Sequence, residues 1–262
     1  MTTPRLVALI TGASSGVGAE LARVFARNGH DVALTARRGD RLEALATELA
    51  SSGRRPIVIA ADLEKPGAAQ QIAQALAEQG AEVKYLVNNA GYGLIGAMRK
   101  LDRADQMGIV DVNVRALTDL SLTFADSVVR HNGGILNVAS VAGFLPGPGM
   151  AVYYASKAFV VSLSAAMHAE LRPLGVNVCA LCPGPVRTEF GERAGTTRSQ
   201  PNVLYVSAVS VAEQGYRGLM AGKRVVIPGL INKLAVMLVR VLPRGLLLAA
   251  ISSAHKRRKA SS

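Results

Sequence analysis

Four residues of the chain could together move a proton on or off an alcohol. Asn113, Ser140, Tyr153 and Lys157 occur in that order, at spacings of 27, 13 and 4 residues. If the run from Tyr153 to Lys157 is helical, its i, i+4 spacing places the ammonium group beside the phenol. A phenol alone titrates near pH ~10, and we expect the neighbouring cation to lower its pKa towards the working range. The Ser140 hydroxyl would hydrogen-bond a substrate oxygen. Together these groups could carry out acid–base catalysis in a reaction that also transfers a hydride.

A Y-x-x-x-K run also arises by chance in many helices, so the prediction depends on a site for a hydride donor. The N-terminal segment supplies a candidate. The apolar run Leu6–Ile10 is typical of a strand buried on both faces, and residues 20–28 are predicted to be helical. Between them lies TGASSGVG, residues 11–18. Its glycines allow a tight turn, and the helix N-terminus offers N–H groups to a pyrophosphate. An ordinary strand-to-helix turn remains the alternative.

The end of the second predicted strand indicates which dinucleotide would bind. The strand Asp31–Ala36 is followed by Arg37 and Arg38, with no acidic residue there to accept the ribose 2′-hydroxyl of NAD. A guanidinium group suits a phosphate instead, so we expect NADP(H). Arg37 is the principal candidate, and Arg38 is either a second ligand or a solvated loop charge.

The chain resembles the short-chain dehydrogenase/reductase family over about residues 4–228. The motifs that carry the resemblance are TGASSGVG (11–18), NNAG (88–91), Asn113, Ser140, Tyr153-x-x-x-Lys157 and PGPVRT (183–188). The resemblance implies that Tyr153 is the general acid/base and that Lys157 lowers its pKa and holds the nicotinamide ribose. It further implies that Ser140 positions the carbonyl and that Asn113 supports a proton relay.

Together, the turn, the arginines and the resemblance assign a set of cofactor-binding residues. Asp62 and Leu63 would flank the adenine, Asn89 and Gly91 would line the cofactor floor, and residues 183–188 would form the loop on the nicotinamide side. The complete set is Gly12, Ser14, Ser15, Gly16, Val17, Gly18, Arg37, Arg38, Asp62, Leu63, Asn89, Ala90, Gly91, Tyr153, Lys157, Pro183, Gly184, Val186 and Thr188.

The order of predicted elements gives the fold class. Strands and helices alternate, which is typical of a parallel sheet, with further strands predicted at 56–60, 83–87, 135–139, 176–181 and 225–227. We expect an α/β, Rossmann-like, doubly wound parallel sheet in a single domain, residues 1–229, followed by an apolar and basic helical extension, residues 230–262. A capping box of Asp40 and Glu43 predicts the start of a helix. One long helix is predicted over 103–129 and the catalytic helix over 153–171.

The composition excludes several other classes of protein. Cys179 and Cys182 would lie on a strand too far apart for a disulfide, and no second pair of ligands accompanies them, so we expect a structural role and no metal site. No signal peptide is visible, which favours the cytoplasm. Ten of the 30 basic residues follow Glu213, the last acidic residue, so the net charge of +12 belongs to the C-terminal end. No aromatic platform accompanies these charges, which argues against a nucleic-acid partner.

The C-terminal extension lacks an uninterrupted apolar run of the ~20 residues that span a membrane. On a helix, Asn232, Lys233 and Arg240 would form a narrow polar stripe. Peripheral membrane contact on the inner face through the basic cluster at 256–259, a subunit interface and a cover for the substrate cleft all remain open. Wherever it attaches, we expect this extension to lie outside the cofactor site.

The expected activity is interconversion of a carbonyl and a secondary alcohol with NADP(H). Residues 144–150, the segment 190–205 and the trio Tyr92, Leu94 and Ile95 are mostly apolar, which favours a small lipophilic substrate. A homodimer or homotetramer is expected. The competing hypothesis is a cofactor-binding module that senses or assembles without turnover.

Overall fold

The sheet is the framework of the molecule. The computed structural model describes residues 3–51, 53–189, 191 and 205–242. Seven parallel strands are arranged in the order β3-β2-β1-β4-β5-β6-β7. They are β1 (Arg5–Thr11), β2 (Asp31–Ala36), β3 (Ile57–Ala60), β4 (Ala81–Asn88), β5 (Gly134–Val138), β6 (Asn177–Leu181) and β7 (Val225–Val226). The order reverses direction beside β1, so the predicted doubly wound, Rossmann-like sheet is confirmed.

Helices cover both faces of this sheet. They are α1 (Gly16–Arg27), α2 (Gly39–Ala50), α3 (Ala68–Glu78), α4 (Arg103–Val110), α5 (Leu117–Arg130), α6 (Ala151–Leu171), α7 (Ala208–Met220) and α8 (Leu230–Val241). On one face, Phe25 of α1 and Leu42 of α2 pack in a core with Val211 of α7. On the other face, Ile72 of α3 and Leu120 of α5 belong to a second core. The apolar strands are therefore buried on both sides, as their continuous apolar runs predicted.

The strand register brings the site-forming segments to one edge. Thr11 is paired with Thr35, Asn88 with Asn137, and Val138 with Leu181. Because these residues end their strands or lie close to the ends, the segments that follow them emerge together at the carboxyl edge of the sheet. This is where ligands of such sheets bind.

Two predicted helices differ from the structure. Helix α2 begins at Gly39, before Asp40, and no side-chain cap is present at its first turn, so the capping-box prediction is wrong. The single helix predicted over 103–129 is divided into α4 and α5 by a π-helical segment, Asp111–Ala116, which contains Asn113. Its wider turns are consistent with the weak helix propensity of an asparagine in this position.

Helix α8 is not arranged as the predicted polar stripe requires. Asn232 and Val236 are buried against the domain, whereas the neighbouring Lys233 is exposed. The outward surface is mainly apolar and consists of Leu230, Ile231, Leu234, Met237 and Leu238. We call these five residues the α8 outer face. Within the described ranges, no helix is both long and apolar enough to cross a membrane.

Cys179 and Cys182 both lie at strand β6 or directly after it. Both thiols are fully buried, Cys179 within β6 and Cys182 just after it. Burial raises the pKa of Cys179 to about 12, which keeps its thiol protonated. This environment supports the predicted structural role.

Candidate active site

The glycine-rich turn between β1 and α1 is tightly packed. Gly12 and Gly16 have left-handed φ angles of 65° and 57°, which favour glycine. A Cβ on Gly18 would lie 2.3 Å from the carbonyl oxygen of Gly12. At N-cap Ser15 no side chain caps the first turn of α1, which leaves that turn able to take a ligand. Ser14, Gly16 and Val17 complete the turn beside it.

The segment after β4 holds this turn in place. The Asn89 side-chain amide donates to the Thr11 carbonyl at 2.8 Å and to the Gly12 carbonyl at 3.3 Å. The Thr11 hydroxyl accepts from the backbone N–H groups of Asn89 and Ala90, at 2.9 and 3.0 Å. Asn89 therefore shapes the cofactor floor by fixing the backbone of the turn. Thr11 takes part equally, although as a single hydroxyl it carried no distinct signal in the sequence.

A dinucleotide fits this arrangement. The close approach of backbone at Gly12 and Gly18, together with the N-terminus of α1, forms a cradle that any side chain would fill. Such a cradle can accept a pyrophosphate through backbone N–H groups. Asp62 and Leu63 follow β3 at the same edge, where the N–H of Ala61 donates to the carbonyl of Ala36 at 3.1 Å. That position is compatible with their expected place beside an adenine.

The two arginines after β2 have different surroundings from those expected. Arg38 Nη2 donates to the hydroxyls of Ser14 and Ser15, both at 3.1 Å, and so contacts the glycine turn directly. Arg37 lies 3.6 Å from Glu64 and is about half exposed. Arg38 is therefore the guanidinium that contacts the turn, while Arg37 as the principal ligand of a 2′-phosphate stays a prediction. Adjacent residues leave a strand in opposite directions, and the sequence did not show which one faces the turn.

Tyr153 and Ser140 form the centre of the candidate catalytic group. Ser140 follows β5, and Tyr153 lies in the first turn of α6, where both side chains are largely buried. Burial raises the pKa of Tyr153 to about 12, a hydrogen bond with Ser140 opposes this shift, and Tyr154 adds to it. The expected downward shift is therefore wrong for the protein's own groups. At neutral pH the phenol is protonated and equipped to donate a proton.

Lys157 lies one turn along α6 and is also buried. Its ammonium donates to the Val138 carbonyl at 2.8 Å and stands 6.0 Å from the centroid of the Tyr153 ring. Burial lowers the pKa of Lys157 to about 8, with a smaller opposing effect of Cys182. The Lys157 ammonium does not overcome the burial of Tyr153, because burial is the largest cause of the raised Tyr153 pKa.

Asn113 connects the catalytic helix to the segment after β4. Its side-chain amide donates to the Tyr92 carbonyl at 3.0 Å and to the Ser156 hydroxyl at 2.9 Å, and its oxygen accepts from the Tyr92 N–H at 3.1 Å. The Ser156 hydroxyl donates to the carbonyl of Tyr153 at 2.7 Å. A Cβ on Gly91 would lie 2.9 Å from the Asn113 oxygen, so these segments are in close contact.

The loop after β6 faces both the turn and helix α8. The Pro183 carbonyl accepts from the Val141 N–H at 3.0 Å, and Val186 pairs with Val206 in an isolated parallel bridge. Thr188 approaches the turn, because a Cβ on Gly16 would lie 3.1 Å from the Thr188 methyl group.

Helix α8 approaches this loop through Asn232. A Cβ on Gly184 would lie 2.4 to 2.6 Å from the side chain of Asn232, which in turn donates to the Pro228 carbonyl at 3.0 Å. The described part of the extension therefore abuts the predicted cofactor loop, and its place outside the cofactor site stays a prediction. The apolar composition of residues 230–241 concealed this contact, which only a tertiary structure reveals.

Tyr153 borders a group of mainly apolar side chains. A small cavity beside Tyr153 is lined mainly by apolar side chains, among them Leu94, Met98, Ile109 and Met150. Of the predicted wall residues, Tyr92 is instead buried in the core, with its hydroxyl donating to the Asp105 carbonyl at 3.3 Å. Phe144 packs on the core beneath α6. Most of the predicted segment 190–205, namely residues 190 and 192–204, lies outside the described residues.

Comparison with known proteins identifies the family. A family model described as short chain dehydrogenase matches residues 6–199. The chain is 38% identical to sulfoacetaldehyde reductase of Chromohalobacter salexigens, over 78% of this chain and 84% of the relative.

Two solved structures show the same arrangement of the chain. A short-chain dehydrogenase from Sphingobium yanoikuyae, in complex with NADPH, is 33% identical with a TM-score of 0.79, covering 98% of this chain and 96% of the other. A bulky-bulky ketone specific alcohol dehydrogenase from Comamonas testosteroni is 31% identical with a TM-score of 0.75, covering 93% and 96%. Other matched structures hold NADP or NAD. The chain belongs to the short-chain dehydrogenase family, and it is an oxidoreductase of the alcohol–carbonyl class that uses a nicotinamide cofactor.

Proposed function

We propose that the protein is an NADP(H)-dependent oxidoreductase that interconverts a carbonyl and a secondary alcohol, with Tyr153 as general acid/base. The observation that carries this proposal is the buried group of Ser140, Tyr153 and Lys157 at the carboxyl edge of the sheet. Ser140 donates to the Pro183 carbonyl in the loop after β6 at 3.4 Å, and Lys157 donates to the Val138 carbonyl at the end of β5.

The roles of the residues follow from their contacts. A bound nicotinamide would supply the hydride or accept it. In the reducing direction, the hydroxyls of Ser140 and Tyr153 hold the carbonyl oxygen, and Tyr153 gives its proton to that oxygen as negative charge develops there. Lys157 favours the phenolate that remains, because an adjacent cation stabilises an anion at low dielectric. Asn113 orients α6 through the Ser156 hydroxyl.

The preference for NADP(H) is supported by positive charge near the glycine turn. Arg38 contacts Ser14 and Ser15 in that turn, and Arg37 and Arg41 lie nearby at the end of β2 and the start of α2. A guanidinium binds a phosphate through charge-assisted hydrogen bonds. The matched structures contain NADPH, NADP or NAD, so the cofactor choice rests on these arginines.

The substrate is proposed to be small and lipophilic. This proposal is supported by the side chains beside Tyr153, such as Leu94 and Met150, which are mostly apolar. Apolar side chains bind a ligand through burial of apolar area.

We further propose a cytoplasmic homodimer or homotetramer that contacts anionic membrane through α8. The exposed fraction reaches 71% at Leu230 and 64% at Met237 on the α8 outer face, and such apolar exposure marks an interaction surface. No acidic residue follows Glu213, whereas Lys233 lies on α8 and a cluster of four basic residues occupies positions 256–259. This charge is complementary to anionic lipid, which attracts basic residues by about 1 kcal/mol each.

The membrane proposal is tested with vesicles. Binding to vesicles that contain phosphatidylserine should exceed binding to phosphatidylcholine alone and should weaken with added salt. Leu234→Glu should abolish it, whereas Leu122→Glu, at a still more exposed position on α5, should not. If Leu234→Glu leaves vesicle binding unchanged but reduces the oligomer size, the outer face is a subunit interface instead.

The catalytic proposal is tested with matched tyrosine variants. NADPH consumption is measured with a panel of lipophilic ketones and aldehydes for wild type, Tyr153→Phe and Tyr154→Phe. We expect Tyr153→Phe to lose roughly 10²- to 10⁴-fold in kcat, as for removal of a general acid. Tyr154→Phe keeps its ring against Gly147 and should retain activity. Equal rates in wild type and Tyr153→Phe would contradict the role of Tyr153. NADPH binding without turnover of any substrate would favour a non-catalytic sensor or assembly module.

A further inference from the structure

Glu189 lies between two of the arginines near the glycine turn. Its carboxylate accepts a hydrogen bond from Arg38 at 2.9 Å and a second from Arg41. The three side chains are each a little less than half exposed. Glu189 directly follows Thr188, the last residue of the loop on the nicotinamide side, so the contact joins that loop to the end of β2 and the start of α2.

The donors that surround the Glu189 carboxylate have the properties of an anion site. The same Arg38 nitrogen that reaches Glu189 also donates to the hydroxyls of Ser14 and Ser15. Arg41 supplies a second guanidinium from the first turn of α2. Carboxylate and phosphate are recognised by the same edge of a guanidinium, through the same charge-assisted bonds. A phosphate and the Glu189 carboxylate would therefore use the same donors.

We propose that Glu189 is a specificity-determining residue that competes with the 2′-phosphate of NADP(H) for Arg38 and Arg41. This proposal rests on the proposed NADP(H) function. A cofactor that carries the 2′-phosphate displaces the Glu189 carboxylate from the two arginines, whereas NAD(H) leaves the Glu189 contacts in place. The residue thus reduces the preference for NADP(H) below what the arginines alone would give.

Two properties of Glu189 support competition with the phosphate. Arg41 and Arg38 hold the pKa of its carboxyl at about 2, so it carries its negative charge throughout the range in which the enzyme would work. Glu189 cannot move without its neighbour Thr188, and Thr188 lies over the glycine turn at Gly16. Exchange of the anion at Arg38 therefore includes a change at the loop that approaches the cofactor.

The test separates the phosphate from the rest of the cofactor. Dissociation constants for adenosine 2′-monophosphate and adenosine 5′-monophosphate are measured by calorimetry, and those for NADPH and NADH by fluorescence. The proteins are wild type, Glu189→Gln and Glu48→Gln, a control in which the lost carboxylate pairs with Arg23 on the far side of α1. We expect Glu189→Gln to bind the 2′-monophosphate and NADPH roughly three- to tenfold more tightly, the gain expected from releasing partly exposed ion pairs. Binding of the 5′-monophosphate and NADH should not change.

Several outcomes would overturn the proposal. Unchanged or weaker binding of 2′-phosphate ligands by Glu189→Gln would show that the carboxylate does not compete and instead holds the arginines in position. An equal gain in affinity for both monophosphates would show that Glu189→Gln acts only through the loss of a negative charge, without competition at the 2′-phosphate. A double variant, Arg38→Ala with Glu189→Gln, should lose the gain. Tighter binding of NADH than NADPH by wild type contradicts the proposed cofactor but not the competition, because each Glu189→Gln shift is measured against wild type with the same ligand.

Discussion

The backbone of Gly93 lies directly against the phenol ring of Tyr153. A Cβ at position 93 would stand 2.7 Å from Cδ2 and 2.8 Å from Cγ of that ring. Contacts this short are not tolerated, so any side chain at this position would push the ring away. The position of the proposed proton donor thus depends on a glycine that carries no functional group.

Gly93→Ala should therefore lower kcat while the cofactor still binds. Displacement of a catalytic group by about 1 Å can reduce the rate on the order of 100-fold. Steady-state kinetics give kcat, and fluorescence titration gives the NADPH dissociation constant. Gly53→Ala is the control, because a Cβ there meets no atom within 4 Å. An unchanged kcat in Gly93→Ala would show that Tyr153 adapts without loss.

Lys157→Met should stabilise the protein without cofactor at neutral pH. Burial lowers the Lys157 pKa from 10.5 to about 8, so below pH 8 the folded state bears the cost of a buried charge, on the order of 3 kcal/mol. Between about pH 8 and 10.5 the folded lysine is neutral while the unfolded one is charged, so this cost falls as pH rises. The gain in unfolding free energy should thus be largest below pH 8 and decline towards 10.5. Urea unfolding at a series of pH values measures it, and a gain independent of pH would contradict the assigned cause.

Arg38→Ala should weaken NADPH binding more than Arg37→Ala does. Arg38 contacts the glycine turn, and loss of a charge-assisted bond to phosphate costs about 1.5–3 kcal/mol, or roughly ten- to a hundredfold in affinity. Arg37 lies towards Glu64 and should contribute less than tenfold. NADH binding serves as the internal control for both variants. A larger effect of Arg37→Ala would restore the preference that the sequence suggested.

Gly184→Ala should impair the enzyme through helix α8. The added methyl group would lie 2.4 Å from the Asn232 amide nitrogen, so either the loop or α8 must move. We expect a lower melting temperature and an increased dissociation constant for NADPH. Combining Gly184→Ala with Asn232→Ala removes the obstructing side chain and should restore part of both properties. If the second substitution makes both worse, the loss would come from the loop backbone itself.

The sequence predicted the parts of the fold that depend on local pattern. Leu6–Ile10 is fully apolar, and β1 is buried on both faces from Val7 to Thr11. Asn89, Ser140 and Pro183 each follow a predicted strand, and the parallel register brings them to one edge. Such predictions succeed because a short run of apolar residues indicates a buried strand, and the alternation of strands with helices indicates that the strands are parallel.

The contacts that the sequence did not predict depend on direction and distance in the folded chain. Nothing in the residues after β2 distinguished Arg38, which faces the turn, from Arg37, which faces Glu64. The contact of Glu189 with Arg41 joins positions 148 residues apart. The direction of the Tyr153 pKa shift also depends on burial, which is its largest cause. Long-range geometry of this kind cannot be derived from spacing along the chain.

The π-helical segment at Asn113 has a consequence for how this helix tolerates changes in length. A π turn contains about one residue more than the α-helix around it, so it accommodates an insertion without altering the flanking faces. Deletion of one residue from 111–116 would join α4 and α5 into a regular helix, with Ile109 and Leu120 still directed at the core. Such a deletion would remove the local geometry that directs the Asn113 amide towards Tyr92 and Ser156. The extra residue would then serve the position of the Asn113 amide rather than the packing of the helix on the core.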